Sequence, residues 1–301
     1  MLAAAIGIGS NSLRMLIADI ENTQLRRVLR DRAGLRVFAA LDQNGNITED
    51  MMEKAAQSVL GFVQKAASYH VEKLHLFATS AVRDAANQEA FCERIYQATG
   101  LRPEICSGEM EAMLSFLGAT DGERVGVIDI GGGSTEIVVG KGRVLDNVVS
   151  LQMGAVRLYR KHLIQSEADA RKVAEIAGEI LQPAADSILT SAPEKWVGVG
   201  GTFTTTAALL QNISWTQKDL IHQYPVSRAN LESCIRTLAP MSPEERNILP
   251  GLQPQRADIV VHGMAILLGC MQSLGIDRIT VSECGNLEGY LKYLYCSDEE
   301  A

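Results

Sequence analysis

The stretch Val125 to Val139, which reads VGVIDIGGGSTEIVV, decides how the rest of this chain is interpreted. Two runs of β-branched residues flank Asp129 and three consecutive glycines, a pattern that predicts two antiparallel strands joined by a tight turn. Glycines let backbone N–H groups approach an anion closely, Ser134 and Thr135 add hydroxyl donors, and the Asp129 carboxylate suits a cation that bridges phosphate oxygens. An ordinary glycine-rich hairpin without a ligand is the alternative, and this stretch alone leaves both open.

A second copy of this pattern stands near the start of the chain. Residues 6–14 (IGIGSNSLR) align with residues 128–136 (IDIGGGSTE) without a gap, at a constant offset of 122 positions. An internal duplication is the economical explanation. It predicts two domains whose loops face each other across a cleft and hold one phosphate group from both sides. The copies differ at an acidic position, because the first has Gly7 where the second has Asp129.

The composition indicates a globular α/β protein whose cysteines are reduced thiols. The chain has 301 residues, of which 47% are hydrophobic and 21% charged, enough for two domains. A net charge of -8 argues against broad binding to nucleic acid or to acidic membranes, so an anionic substrate must be held locally. The six cysteines show no metal-type spacing, and neither a signal peptide nor a membrane span is apparent. We therefore expect a cytoplasmic protein.

Periodicity and capping residues predict the other elements of a mixed α/β fold. Residues 25–41 read as a strand with interspersed arginines, for which a solvated face is favoured over a lip that binds a polyanion. We expect Pro183 to break or kink the helical run 166–191. The domain boundary is placed near residue 120, giving domains 1–120 and 121–301. Further helices are predicted over 48–69, 88–99, 110–119, 259–274 and 287–295, and strands over 74–78, 101–106, 145–151 and 279–281.

Arg83 follows directly after the predicted strand 74–78. An arginine just beyond the carboxyl end of a strand in an α/β fold points towards the ligand crevice. Contact with phosphate is therefore favoured over a surface ion pair with Asp84 or Glu89.

Glu109 and Glu111 stand at the start of a predicted helix that continues over 110–119. Acidic residues there commonly complement the helix dipole, which is the simpler explanation for both. The functional alternative is that one of the two carboxylates acts as a general base for an attacking water molecule.

A third glycine turn, Gly200-Gly201-Thr202, connects a strand to a helix. It can present N–H groups to a nucleotide or to a further phosphate, and close packing of helix on sheet explains the same glycines equally well. Arg256 opens a later Arg-Ala-Asp segment and is a further candidate for the same site.

Taken in order, these motifs resemble the exopolyphosphatase and guanosine pentaphosphate phosphohydrolase (Ppx/GppA) family, and the resemblance covers nearly the whole chain. A single motif is weakly specific, and six in the same order are strongly so. They are IGIGSNS at 6–12, ATSAVRD at 78–84, SGEMEA at 107–112, DIGGGSTE at 129–136, GVGGT at 198–202 and RAD at 256–258.

The resemblance implies two actin-like, ribonuclease H-like domains, each a mixed sheet flanked by helices, with the active site in the interdomain cleft. It implies hydrolysis of a terminal phosphoanhydride with Mg²⁺, or Mn²⁺, as the cofactor. By position, Glu111 would be the general base with Glu136 beside it, and Asp129 would hold the metal. The residues that would bind phosphate are Ser10, Asn11, Ser12, Arg83, Gly132, Gly133, Ser134 and Thr135.

The substrate implied by the resemblance is inorganic polyphosphate or guanosine pentaphosphate. Both present the same terminal anhydride, so the sequence does not choose between them. A homodimer is kept open beside a monomer. The chain resembles short members without a C-terminal helical extension, which implies a weaker grip on long polyphosphate.

The chain departs from the family pattern at two positions, and the first of them, Gly7, motivates a second hypothesis. The family's first loop carries Asp where this chain has Gly7. Near the C-terminus, the family has Arg before Glu-Gly where this chain has Leu287. Loss of one carboxylate weakens metal binding unless water replaces it. The alternative function is therefore a catalytically weak sensor that binds polyphosphate or a guanosine alarmone. An actin-like sugar kinase is a third reading, disfavoured because the Glu111 motif suits activation of water.

Overall fold

The computed structural model describes residues 1–296, and it divides the chain into two compact units. The first unit comprises Met1–Gly118 together with the last helix, which starts at Asn286. The second unit comprises Ala119–Gly285. Both combine a mixed sheet with helices, which confirms the predicted α/β class.

The sheet of the first unit has the strand order β3-β2-β1-β4-β5. Strand β1 lies in its centre, antiparallel to β2 and parallel to β4, and its apolar residues are almost wholly buried. The elements are β1 (Leu2–Ile8), β2 (Ser12–Glu21), β3 (Gln24–Gly34), α1 (Glu49–Ser68), β4 (Lys73–Ala78), α2 (Ser80–Arg83), α3 (Gln88–Thr99), β5 (Glu104–Ile105) and α4 (Gly108–Ala119).

The sheet of the second unit has the order β10-β11-β9-β6-β7-β8. Its core includes a helix, α11, that is buried throughout residues 260–271. The elements are β6 (Arg124–Ile130), β7 (Thr135–Lys141), β8 (Val144–Leu151), α5 (Ala155–Tyr159), α6 (Glu167–Thr190), β9 (Trp196–Val199), α7 (Gly201–Gln211), α8 (Lys218–Ile221), β10 (Pro225–Ser227), α9 (Arg228–Leu238), α10 (Pro243–Asn247), α11 (Val260–Ser273) and β11 (Arg278–Ser282).

The internal duplication extends beyond the nine aligned residues. In both units the hairpin has the same register, and the strand that runs parallel to its first strand is also in the same register. The corresponding pairs are Gly7–Arg14 and Asp129–Glu136 across antiparallel strands, and Gly7–Phe77 and Asp129–Val199 across parallel strands. Every member of one pair lies 122 positions from its counterpart.

The last helix does not follow the predicted division of the chain into domains 1–120 and 121–301. Helix α12 (Asn286–Tyr295) packs in the first unit, where Leu287, Tyr290 and Leu291 share a core with Ala5 and Phe77. The amphipathic pattern of this helix predicts that one of its faces packs on an apolar surface. The pattern does not show which of two sheets provides that surface, so the expectation of one domain over 121–301 does not hold for this helix.

Two local predictions also differ from the structure. The arginine-rich strand ends at Gly34, because Arg36 adopts a left-handed conformation (φ 57°) before a 3₁₀ helix at Val37–Ala40. Helix α6 runs through Pro183 without a break in its assignment, although proline removes one hydrogen bond of the helix. Within the described residues, none of the helices combines the length and the apolar character needed to cross a bilayer.

Candidate active site

The first loop, residues 9–12, joins β1 to β2 in a tight turn closed by a hydrogen bond of 3.0 Å from Gly9 N to Ser12 O. Its carbonyls are held by the following chain, because Ser10 O accepts from Phe38 N and Asn11 O accepts from Leu35 N. The N–H groups of Ser10 and Asn11 donate to no acceptor within residues 1–296. Two backbone donors of this loop therefore have no acceptor among residues 1–296, as a phosphate loop requires.

The side chains of this loop are buried although they are polar. Ser10, Asn11 and Ser12 are each 6% exposed. Ser10 Oγ lies 3.3 Å from Ser80 Oγ, which ties the loop to the start of α2. Both polar atoms of the Asn11 amide are buried without a hydrogen-bond partner in the part of the chain that the structure describes. A buried amide without partners is costly, so this side chain calls for an explanation, and contact with phosphate stays a prediction for Asn11.

Arg83 and Glu111 lie together in the first unit. Arg83 Nη1 donates to Glu111 Oε2 at 2.9 Å and to Cys106 O at 3.0 Å. Its Nη2 atom is buried and has no hydrogen-bond partner among residues 1–296, so it keeps a donor for a ligand. Arg83 also forms an ion pair with Asp84, with 3.6 Å between Arg83 Nε and Asp84 Oδ1. Glu89 pairs with Arg102 instead.

The structure separates the two acidic residues at the start of α4. Glu109 is exposed, whereas Glu111 is only 7% exposed and is held by Arg83. Burial raises the pKa of the neighbouring Cys106 thiol to about 12, and the charges of Glu104 and Glu111 act in the same direction. The thiol therefore stays protonated at neutral pH.

Gly7 offers no room for a larger side chain. A Cβ atom added to Gly7 would lie 2.9 Å from Phe77 Cζ and 3.4 Å from Leu287 Cδ2. The Phe77 ring is stacked on Tyr290 with centroids 4.6 Å apart and an interplanar angle of 4°. The two departures from the family pattern, Gly7 and Leu287, thus lie next to each other, and Leu287 shares a core with Phe77.

The second loop, residues 131–134, repeats the turn of the first. Gly131 N donates to Ser134 O at 3.0 Å, and the N–H groups of Gly132 and Gly133 find no acceptor in the described chain. The loop carbonyls again face the fold, because Gly131 O and Gly132 O accept from Ala155 N and Val156 N, both at 2.9 Å. In both loops, carbonyl oxygens therefore accept hydrogen bonds from later parts of the chain, whereas two N–H groups have no acceptor in the described residues.

Gly154 and Arg157 support this loop and were missed as site residues by the sequence analysis. Arg157 Nε donates to Gly133 O at 2.6 Å. A Cβ atom on Gly154 would lie 2.4 Å from the backbone of Gly132 and Gly133, so only glycine fits there. A glycine three positions after the end of strand β8 was the available signal, and an arginine that binds a loop carbonyl leaves no comparable pattern.

Asp129 and Glu136 are directly paired residues of neighbouring antiparallel strands, so their side chains lie on the same face of the sheet. They are 8% and 1% exposed. Glu136 Oε1 accepts from Ser150 Oγ at 2.8 Å. A Cβ atom on Gly200 would lie 2.8 Å from Asp129 Oδ1, so the backbone at the start of α7 closes over this carboxylate.

The remaining predicted contacts differ in their support. The Thr135 hydroxyl donates to Met153 O, so Thr135 holds the loop and its hydroxyl proton is not available to phosphate. Ser134 is buried at the loop end, 1% exposed. Contact of any of these residues with phosphate remains a prediction.

Packing accounts for glycines at and near the third glycine turn, and a phosphate site at this turn stays a prediction. A Cβ atom on Gly201 would overlap the Arg256 guanidinium at 1.8 Å, and one on Gly263 would lie 2.4 Å from Thr202 Oγ1. Thr202 is 2% exposed. Gly201 and Gly263 are thus explained by packing within the second unit, and Gly200 by its contact with Asp129.

Comparison with known proteins identifies the family. The profile of the Ppx/GppA phosphatase family matches residues 16–295. The chain belongs to the Ppx/GppA phosphatase family. It is 31% identical to Exopolyphosphatase 2 of Mycobacterium tuberculosis over 95% of this chain and 96% of that protein. It is also 27% identical to a bifunctional 3-dehydroquinate synthase/phosphatase of Fusobacterium nucleatum, covering 96% of this chain and 46% of that protein.

Solved structures agree with this membership in the Ppx/GppA family. The Ppx/GppA enzyme of Aquifex aeolicus has a TM-score of 0.82 at 29% identity, over 97% of this chain and 99% of that one. An exopolyphosphatase of Cytophaga hutchinsonii has a TM-score of 0.88 at 25% identity, over 98% of both chains. The predicted actin-like fold with two mixed sheets is confirmed.

Proposed function

We propose that this chain hydrolyses the terminal phosphoanhydride bond of inorganic polyphosphate, with guanosine pentaphosphate as an alternative substrate of the same site. The observation that carries the proposal is the pair of loops, each with two backbone N–H groups that donate to nothing else in residues 1–296. Such donors stabilise charge on a transferring phosphoryl group. The relatives known as exopolyphosphatases support the choice of substrate.

Glu111 is proposed as the general base. Its carboxylate would accept a proton from water as the water oxygen attacks the terminal phosphorus, while the bridging P–O bond breaks and its electrons leave with the shortened chain. Arg83 and Asn11 supply unpartnered donors in the same unit, which would neutralise and orient the phosphate oxygens. Glu136 is proposed to assist from the second unit.

Mg²⁺, or Mn²⁺, is proposed as the cofactor, with Asp129 as its principal ligand. No group of three acidic, histidine or cysteine side chains in the described part of the chain converges on a metal site. Asp129 and Glu136 nevertheless provide two buried carboxylates on one sheet face. Because Mg²⁺ is commonly held by one or two carboxylates together with substrate phosphates, this donor set fits. The bound cation would neutralise charge on the phosphates.

A phosphate-release assay on both substrates tests this proposal, with and without Mg²⁺. We expect release that requires Mg²⁺ and falls at least about a hundredfold in Glu111→Gln, because a general base typically contributes that much. Glu109→Gln is the matched control, since Glu109 is an exposed acid two residues away on the same helix. Equal rates in the two variants, or no turnover of either substrate by the wild type, would refute it.

The second candidate is a sensor that binds polyphosphate or an alarmone without turnover. The specific observation in its favour is the Phe77 ring, which stands where a carboxylate at position 7 would need space. Calorimetry with each compound separates the candidates, because a sensor binds tightly in the presence of Mg²⁺ and releases no phosphate.

We further propose a cytoplasmic location, which agrees with the six free cysteines of the described chain. A homodimer stays a prediction, and light scattering after gel filtration would decide between it and a monomer.

A further inference from the structure

Helix α12 contacts the elements that carry the Arg83–Glu111 pair, although it lies far from both residues in sequence. A Cβ atom added to Gly289 would lie 1.7 Å from Leu114 O and 3.0 Å from Gly118 N. The backbone of α12 therefore lies directly against the backbone of α4, which carries Glu111 three residues before Leu114. Only glycine permits this approach, so the separation of the two helices is fixed at this point.

Tyr290, the next residue of α12, contacts two neighbouring strands. Its ring is stacked on Phe77 of β4, and its hydroxyl donates to the carboxylate of Glu104 on β5. Phe77 and Glu104 are directly paired across these parallel strands. Burial raises the pKa of the Tyr290 hydroxyl, and the hydrogen bond to Glu104 acts in the same direction, so the hydroxyl keeps its proton. One side chain thus holds both members of a register pair.

Strand β5 has little backbone pairing of its own. It comprises only Glu104–Ile105 and lies at the edge of the first sheet. Short segments with few ladder hydrogen bonds open locally at a low cost in free energy. The hydrogen bond from Tyr290 ends on a carboxylate and is therefore of the stronger, charge-assisted kind. It secures β5 where the backbone pairing is sparse.

The residues directly after β5 hold the Arg83–Glu111 pair. Cys106 N donates to Ala78 O, and Cys106 O accepts from Arg83 Nη1, both at 3.0 Å. Ser107 O accepts from Glu111 N at 2.9 Å, where α4 begins. A displacement of β5 would therefore move the carbonyl that orients Arg83 and the helical turn that carries Glu111.

We infer that Tyr290 is a positioning residue for hydrolysis: its hydrogen bond to Glu104 fixes β5, and β5 fixes the placement of Arg83 and Glu111. The inference rests on the proposed role of Glu111 as the general base. Tyr290 acts through the intervening residues and is not itself a catalytic residue. Gly289 supports the same arrangement from the side of α4.

Tyr290→Phe tests this inference, because it keeps the ring that stacks on Phe77 and removes only the hydroxyl. With inorganic polyphosphate and Mg²⁺, we expect kcat to fall about tenfold or more, since small displacements of a reacting group lower the rate steeply. KM should change less than about threefold, because residues 35–38 hold the first loop independently of β5.

Tyr295→Phe is the matched control. Tyr295 lies on the same helix, and its hydroxyl oxygen is 2.6 Å from His75 Nε2. The substitution removes a comparable tyrosine hydrogen bond, but that bond ends on β4 instead of β5. We therefore expect less than about a twofold change in kcat, as for a site that is independent of the Arg83–Glu111 pair.

Variants of Glu104 keep the test decisive if Tyr290→Phe does not fold. Glu104→Gln keeps an acceptor for the Tyr290 hydroxyl and should retain at least about half of kcat, whereas Glu104→Ala should lose as much as Tyr290→Phe. Because both losses arise from one hydrogen bond, the double variant Tyr290→Phe/Glu104→Ala should be no slower than either single variant. Circular dichroism and thermal unfolding establish that each variant is folded at the assay temperature.

Wild-type kcat in folded Tyr290→Phe or Glu104→Ala would overturn the inference. Losses that multiply in the double variant would also overturn it, because they would show that the two side chains act separately.

Hydrogen exchange measured by mass spectrometry reads the same link without turnover. We expect Tyr290→Phe to speed exchange in residues 104–111, and Tyr295→Phe to leave it unchanged. Unchanged exchange of residues 104–111 in Tyr290→Phe would overturn the inference. A wild type that releases no phosphate would refute the proposed function, whereas the exchange rates decide by themselves whether Tyr290 holds β5.

Discussion

Arg83 Nη1 lies 2.9 Å from Glu111 Oε2, so the proposed phosphate ligand is also the ion-pair partner of the proposed base. The side chains of both residues are largely shielded, at 16% and 9% exposure. A negatively charged substrate that binds Arg83 would compete with Glu111 for the same guanidinium group. The pair therefore links the arrival of phosphate to the freedom of the carboxylate.

The ion pair between Arg83 and Glu111 should make a large contribution to the free energy of unfolding. Arg83→Met removes the guanidinium partner of the buried Glu111 carboxylate, and we expect a loss of about 3 kcal/mol in the free energy of unfolding. The double variant Arg83→Met/Glu111→Met should recover most of that loss, since apolar pairs commonly replace buried ion pairs without penalty. Urea unfolding of the single and double variants measures the coupling. Additive effects of the two substitutions would show that the pair is not coupled.

The second loop should be sensitive to a single methyl group at Gly154. The backbone there is extended (φ -129°), so alanine is conformationally acceptable, and the cost arises from the collision at 2.4 Å with Gly132 and Gly133. We expect Gly154→Ala to lower kcat/KM about a hundredfold, because a displacement of about 1 Å at a site has that effect.

Gly61→Ala is the control for that experiment. Gly61 lies within α1, and a Cβ atom there meets nothing within 4 Å. Alanine should stabilise the helix by roughly 0.5–1 kcal/mol and leave kcat/KM unchanged. Full activity in Gly154→Ala would show that the loop does not depend on this contact.

Adding the missing acid at position 7 should not improve the protein. A side chain on Gly7 must displace the Phe77 ring, and overpacking of this kind typically costs about 1–3 kcal/mol. We expect Gly7→Asp to lower the unfolding midpoint and to add no Mn²⁺ site. Phe77→Leu in the same chain should restore part of the stability. A gain of metal affinity in Gly7→Asp alone would contradict the packing described above.

Stability should decrease in mild acid because of His262. Burial lowers the pKa of His262, the hydrogen bond between its Nε2 atom and His162 O opposes that effect, and the charge of Arg246 adds to it. The unfolded chain then binds a proton more readily than the folded one, so stability is lost as the pH falls below the ordinary histidine value of about 6.5. Urea midpoints at pH 7.5 and 5.5 measure this, and His262→Gln should reduce the difference.

The buried thiols should be inert in the folded protein. Burial raises the pKa of Cys106 and Cys270 to about 12 each and that of Cys234 to about 11, so little thiolate forms at neutral pH. We expect iodoacetamide to leave Cys106 and Cys270 unmodified until the chain unfolds in urea, as judged by mass spectrometry. Rapid labelling of the native protein at Cys270 would indicate local opening of α11.

Much of the fold was predictable, because hydrophobic period and glycine turns are local signals. The hairpin at 125–139, helix α3 at 88–99 and the offset of 122 positions are confirmed. The loops of the candidate site were predictable for the same reason, since a short glycine segment with hydroxyl residues is contiguous in sequence.

The contacts between distant segments were not predictable from single residues. The pairing of Arg83 with Glu111 spans 28 positions, and the packing of Leu287 beside Gly7 joins opposite ends of the chain. Arg157 was missed because it acts through a loop carbonyl, for which no sequence pattern exists. The side chains that pack on Gly201 and Gly263 likewise come from distant segments, so the sequence did not reveal them.

The covalent linkage of two copies has an evolutionary consequence. In a symmetric homodimer of single-copy subunits, one codon specifies both loops, so an acid lost from one is lost from the other. Here the corresponding positions 7 and 129 are encoded separately, although their strands keep one register. Fusion therefore relaxes selection on each half independently. A descendant can lose the acidic residue from one half, pack an aromatic ring in its place, and still keep the acidic residue of the other half.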